Sequence, residues 1–212
     1  MKTMKMKLRI SLILLATAIG MVSCESLGLS APKMDTEAAF KRVIESYEKY
    51  IDTTMYHPIE INWYEIDKLS NDLSYMRVSM ISKDDNKVYS QVMKIAGDNQ
   101  MAEEVKLSSY HNRSKLTFDG SNWIRPSDIN AELFLQQFED AKTQIPADEY
   151  RIKSVSDCKM GIHNKTGEVK NSFEFRLTKV GESTQRRGKQ VITNYYEVNF
   201  DGQPDGTALL NN

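Results

Sequence analysis

Asp35-Thr-Glu-Ala-Ala-Phe-Lys-Arg-Val-Ile-Glu-Ser-Tyr-Glu-Lys-Tyr-Ile-Asp52 is the stretch from which the fold is read. Phe40, Val43, Ile44, Tyr47 and Ile51 fall at offsets 0, 3, 4, 7 and 11, a single apolar stripe at helical spacing. Lys41, Arg42, Glu45, Glu48 and Lys49 take the opposite side. The spacing predicts a helix that packs through one side and meets water on the other. Asp35 or Thr36 is placed to accept from the free amides of its first turn.

Beyond the helix the period drops to two. After His57-Pro58, Ile59, Ile61 and Trp63 alternate with Glu60 and Asn62, and Leu73, Tyr75, Val78 and Met80 continue in strand-like fashion. Asp84-Asp85-Asn86-Lys87 then reads as a hairpin turn into Val88–Ile95. Two further strands are predicted at Glu104–Tyr110 and Lys115–Phe118, with a turn at Asp119-Gly120. The plan then repeats. Pro126-Ser127 introduces a helix over Asp128–Gln144, with Ile129, Leu133, Phe134, Phe138 and Ala141 as its buried residues. Strands follow at Tyr150–Ser156, Cys158–His163, Ser172–Val180 and Gln190–Phe200.

The expected class is therefore α+β, built as two helix-plus-antiparallel-sheet units at residues 35–125 and 126–212. Phe118-Asp119-Gly120 and Phe200-Asp201-Gly202 close the last defined strand of each half and raise the question of duplication. The alternative is one continuous curved sheet or half-barrel with both helices in its concavity. A helix leading into a curved antiparallel sheet resembles the cystatin-like and nuclear-transport-factor-like folds. That resemblance rests on element order, so no function follows from it.

Composition narrows the function classes. The chain has 212 residues, 40% of them hydrophobic, and a formal charge of -1, which excludes wholesale disorder. Near-neutral charge also argues against nucleic acid as a partner, since such affinity rests on neutralising phosphates. The amino end carries Lys2, Lys5, Lys7 and Arg9, then an apolar run from Ser11 to Val22. A basic head and a short apolar segment make a signal peptide, residues 1–23. The run is shorter than the roughly 20 residues a transmembrane helix needs.

Met21-Val22-Ser23-Cys24 resembles the lipobox of bacterial lipoproteins, with Met21 standing where Leu is usual. The resemblance implies cleavage before Cys24 and acylation of that residue, with membrane association through the lipid. Loss of residues 1–23 removes four basic side chains and no acidic ones, leaving 24 against 29 and a net charge of -5. Residues 24–34 read as a tether. Glu25 after the cysteine favours the outer membrane of the cell envelope, facing either the periplasm or the exterior. With Cys24 lipidated, Cys158 has no disulfide partner and reads as a small buried strand residue. Asp52-Thr53-Thr54 resembles the O-glycosylation tripeptide of Bacteroidetes, which makes Thr53 a candidate acceptor.

Signals of chemistry are few. His57, His111 and His163 lie far apart in sequence, with no ligand spacing for a metal, and read as exposed turn residues. No nucleophile elbow, phosphate loop or dinucleotide fingerprint occurs, so no cofactor and no catalysis are expected. Aromatic residues on or beside strands remain. They are Trp63, Tyr64, Tyr75, Tyr89, Trp123, Tyr195 and Tyr196, of which Trp63, Tyr89, Trp123, Tyr195 and Tyr196 are candidate contacts for an envelope protein or a glycan. Neighbours on a strand face opposite ways, so one of Tyr195 and Tyr196 should be exposed. The reading is a lipid-anchored binding module; a carrier of an apolar ligand or a small cavity enzyme are the alternatives.

Overall fold

The computed structural model describes residues 31–97, 100–109, 115–163, 165–182, 185–187 and 190–211, with the backbone alone for 185–187 and 190–192. The segment expected as a signal peptide, residues 24–30 of the expected tether with Cys24, and His111 lie outside them. Among the described residues eleven strands and two α-helices follow in the order α1 (Glu37–Tyr50), β1 (Tyr56–Glu65), β2 (Leu73–Ser82), β3 (Val88–Lys94), β4 (Met101–Ala102), β5 (Lys106–Leu107), α2 (Ala131–Thr143), β6 (Tyr150–Ile162), β7 (Val169–Lys179), β8 (Gln185–Arg187), β9 (Gln190–Ile192), β10 (Tyr196–Gly202) and β11 (Ala208–Asn211). The class is α+β, as the alternating periods require.

Nine strands form one antiparallel sheet in the order β11-β10-β7-β6-β1-β2-β3-β4, with β5 also on β3; β8 and β9 make a separate hairpin. Pairing of β1 with β6, from Glu60↔Gly161 to Tyr64↔Asp157, joins the halves expected at 35–125 and 126–212 in this single sheet. Both helices lie over one face. Trp63 of β1 meets Phe40 of α1 at 5.8 Å and Phe134 of α2 at 5.4 Å, ring centre to ring centre. Six of the seven phenylalanines join that core, with Phe138 touching Phe173 and Phe175 across the helix–sheet interface. Burial of such side chains contributes about 1.5–3 kcal/mol each, so this face dominates stability.

Several sequence expectations are corrected in detail. Neither Asp35 nor Thr36 caps α1 with its side chain: Thr36 donates instead to the Lys33 carbonyl at 2.7 Å, and Asp35 accepts from Asn71 at 2.7 Å. The second helix starts later, after a 3-10 turn at Pro126–Asp128, and its first turn is capped by Asn130 accepting from the Leu133 amide at 3.1 Å. The break expected between Ser156 and Cys158 is a bulge within one long strand, where register slips between Val155 and Asp157. The expected strand Gln190–Phe200 is two strands separated by Thr193–Tyr195.

Residues 115–118, expected as a strand, are irregular and cover one end of the sheet's other face. Phe118 packs there in a small cluster with Ile81 and Val88, whereas Phe200 sits in the main core on β10. The two Phe-Asp-Gly tripeptides thus have unlike settings.

Candidate functional site

Alternation gives each strand two sets of side chains, and only one set lies under the helices. The other face is open along its middle. Its central row runs across the sheet as Lys94, Tyr75, Tyr64, Asp157, Glu174 and Asn199, each opposite the next on the adjacent strand. The neighbouring row is Val92, Arg77, Asn62, Lys159, Ser172 and Asp201.

At one end of this face charges are tied together. Glu65, with only 2% of its side chain exposed, accepts from Arg176 at 2.8 Å, Ser154 at 3.1 Å and the amides of Leu69 and Asn71 at 3.2 and 2.8 Å. A buried carboxylate is tolerated because its oxygens are met by donors and a cation. Those bonds shape the β1–β2 turn, in which Leu69 and Asn71 take positive φ of 70° and 59°. Asn71 tolerates that conformation, and its side-chain oxygen accepts the Val155 amide beside the β6 bulge at 2.9 Å. Arg176 also reaches Glu174 at 3.5 Å and Glu197 at 3.1 Å. Tyr195 stands between Arg176, 5.3 Å from its ring centre, and Lys68, which lies 4.9 Å from that centre and bonds the hydroxyl.

The middle of the face is different. Lys159 is paired with Glu60 at 2.7 Å. The side chains of Arg77 and Asp157, both exposed, have no hydrogen bond or ion pair among the described residues. Between them, Tyr64 Oη and Asn62 Oδ1 are closed to solvent and unpartnered. The Tyr64 hydroxyl is pushed up by burial and by the Asp157 charge, with Arg77 opposing. Asp157 is open to water from above but flanked by protein on both sides. Partial desolvation and the charge of Glu174 on the next strand push its carboxyl up to about 6, against the pull of Lys159. Tyr75, 38% exposed, lies directly opposite Tyr64.

The five aromatic candidates do not meet on one surface. Trp63 is 0% exposed and belongs to the core, which removes it as a ligand contact. Tyr89 packs against the same core and donates to Asp85 at 3.1 Å. Trp123 is engaged by the stacked His57 ring at 4.7 Å and the Arg125 guanidinium at 4.6 Å. His57, expected as an exposed turn residue, is itself stacked on Phe118 at 3.6 Å. Tyr196, 41% exposed, lies opposite Leu177 on the helix side, while Tyr195 faces the other way, as the alternation requires.

Cys158 is fully buried on β6, and burial pushes its thiol well up, so it is not a reactive thiolate. Thr53 lies in a turn whose Asp52 carboxylate accepts from the Thr54 amide and hydroxyl at 3.0 and 2.6 Å; those bonds hold the carboxyl below its usual range. Among the described residues no cluster of His, Cys, Asp or Glu could hold a metal, and no helix is long and apolar enough to cross a membrane. Sequence reasoning misses Arg77 and Asp157, and it names Tyr64 and Tyr75 among the strand aromatics without choosing them as contacts. Their signal was phase: Tyr64 and Tyr75 alternate against Trp63 and Met76. Comparison with protein families, curated proteins and solved structures finds no match for this chain.

Proposed function

We propose that the chain is a lipid-anchored protein of the bacterial cell envelope, held at the outer membrane through Cys24, that presents its uncovered sheet face to a protein or glycan and performs no catalysis. The observation that carries this reading is the middle of that face, where Arg77 and Asp157 stand unpartnered on either side of Tyr64. Charged side chains that face water with no partner in their own chain, set beside the exposed Tyr75 ring, suit a surface that meets a partner. Phe40, Phe134, Phe138 and Phe175 fill the space between helices and sheet, which weighs against a carrier or a cavity enzyme there. The helix-then-strands plan of each half supports kinship with cystatin-like units. The unlike settings of Phe118 and Phe200 weigh against a true duplication.

The test expresses the chain with and without Cys24→Ser in a bacterial host supplied with labelled palmitate. Label and membrane fractionation are expected for the parent chain and lost in the variant. Retention of both in the variant overturns the anchor.

A further inference from the structure

Resting on the reading of the open face as a binding surface, we propose that its ligand is a saccharide carrying a carboxylate, laid across Tyr64 and Tyr75 with its acid group on Arg77 and its hydroxyls on Asp157. The geometry separates the two charges. Arg77 lies opposite Asn62 on β2, and Asp157 lies opposite Tyr64 on β6, with β1 between them. Adjacent strands are about 4.8 Å apart, so the two backbones stand roughly 10–12 Å from each other. The charges do not pair, although each is free to be paired from outside.

The chemistry of the gap selects the ligand. Tyr64 and Tyr75 are cross-strand partners, and each brings to this face an aromatic side chain, the kind on which an apolar ring face rests. Lys94, opposite Tyr75 and also unpartnered among the described residues, adds a second cation on the Arg77 side. A guanidinium is suited to a carboxylate, which it meets with two parallel donors. On the other side Asp157 offers only acceptors when ionised, which suits hydroxyl donors. A neutral sugar would leave Arg77 unanswered, and a simple anion would leave Asp157 unanswered. An acidic sugar satisfies both ends and meets the rings between them.

The experiment titrates the full-length protein calorimetrically with a galacturonate trimer and, in parallel, with its methyl ester, which keeps the rings and hydroxyls but lacks the charge. Saturable binding is expected for the acid and at least tenfold weaker binding for the ester. Arg77→Ala and Asp157→Ala should each weaken binding of the acid by tenfold or more, with no fall in melting temperature as the check on folding. Absence of binding, equal binding of acid and ester, or indifference to both variants overturns the inference. Crosslinking in intact envelopes separates the two levels of the claim. If the parent chain captures a partner that Arg77→Ala does not, yet the trimer does not bind, the acidic-sugar assignment fails and the binding surface stands. If neither capture nor binding occurs, both fail.

Discussion

Two adjacent rows of the same sheet differ by one residue per strand and share almost nothing chemically. One runs Met93, Met76, Trp63, Cys158, Phe173 and Phe200, all at most 3% exposed under the helices. The next runs Lys94, Tyr75, Tyr64, Asp157, Glu174 and Asn199 on the open side. Backbone pairing is common to both rows, so the difference lies entirely in side chains and in what covers them. Because the strand period is two, a slip of one residue would exchange the rows. The apolar row therefore fixes register, and the polar row is left free to carry function.

If that division holds, the largest effects come from the covered side. Phe138 is 0% exposed and touches Phe40, Phe134, Phe173 and Phe175. Phe138→Ala should cost about 3–5 kcal/mol, the range for deleting a buried aromatic ring, read from urea unfolding. A loss below about 1 kcal/mol would break the comparison. The next effect tests its exception, since Glu65 is a polar group that supports structure. Glu65→Ala should cost about 2–3 kcal/mol, because Arg176, Ser154 and two turn amides lose a charged acceptor. It stays smaller than the Phe138 effect because Arg176 keeps Glu174 and Glu197.

The split between rows also explains what was legible in the sequence. Phe40, Val43 and Tyr47 announce α1 because a helix with one buried side leaves a periodic trace, and Ile61 and Trp63 announce β1 likewise. Features set by long-range contacts left no such trace. Asp35 gives up its capping role for Asn71, a residue 36 positions away. Lys115–Phe118 has strand-like alternation, yet no strand among the described residues pairs with it, and Phe118 settles on Ile81 and Val88 instead. The candidate site was hidden for the same reason. Trp63 and Tyr64 are equally aromatic neighbours, and only knowledge of which side the helices cover separates core from surface. Arg77 and Asp157 lie 80 positions apart in the chain, and β1 alone brings them to one face.

The smallest expected effect is the most specific to the open row. Asp157 has its carboxyl raised to about 6 in the folded chain, above the ordinary aspartate value of 3.8. Between those values the folded state binds more protons than the unfolded one, so this group makes stability fall as pH rises from about 4 to 6. Its carboxyl is open to water, which holds the loss to about 1 kcal/mol or less. Asp85 and Asp205, whose hydrogen bonds lower their carboxyls, act in the opposite sense and obscure the slope of the parent chain. The difference between the parent and Asp157→Asn removes them, because they are common to both. Urea unfolding at several pH values should show the variant gaining on the parent from pH 4 to 6 and level above that. Glu174→Gln takes away the neighbouring charge on β7 and should lower the Asp157 midpoint seen by carboxyl NMR. An unchanged midpoint would mean that the Glu174 charge does not help to set it, and that the row does not act as a row.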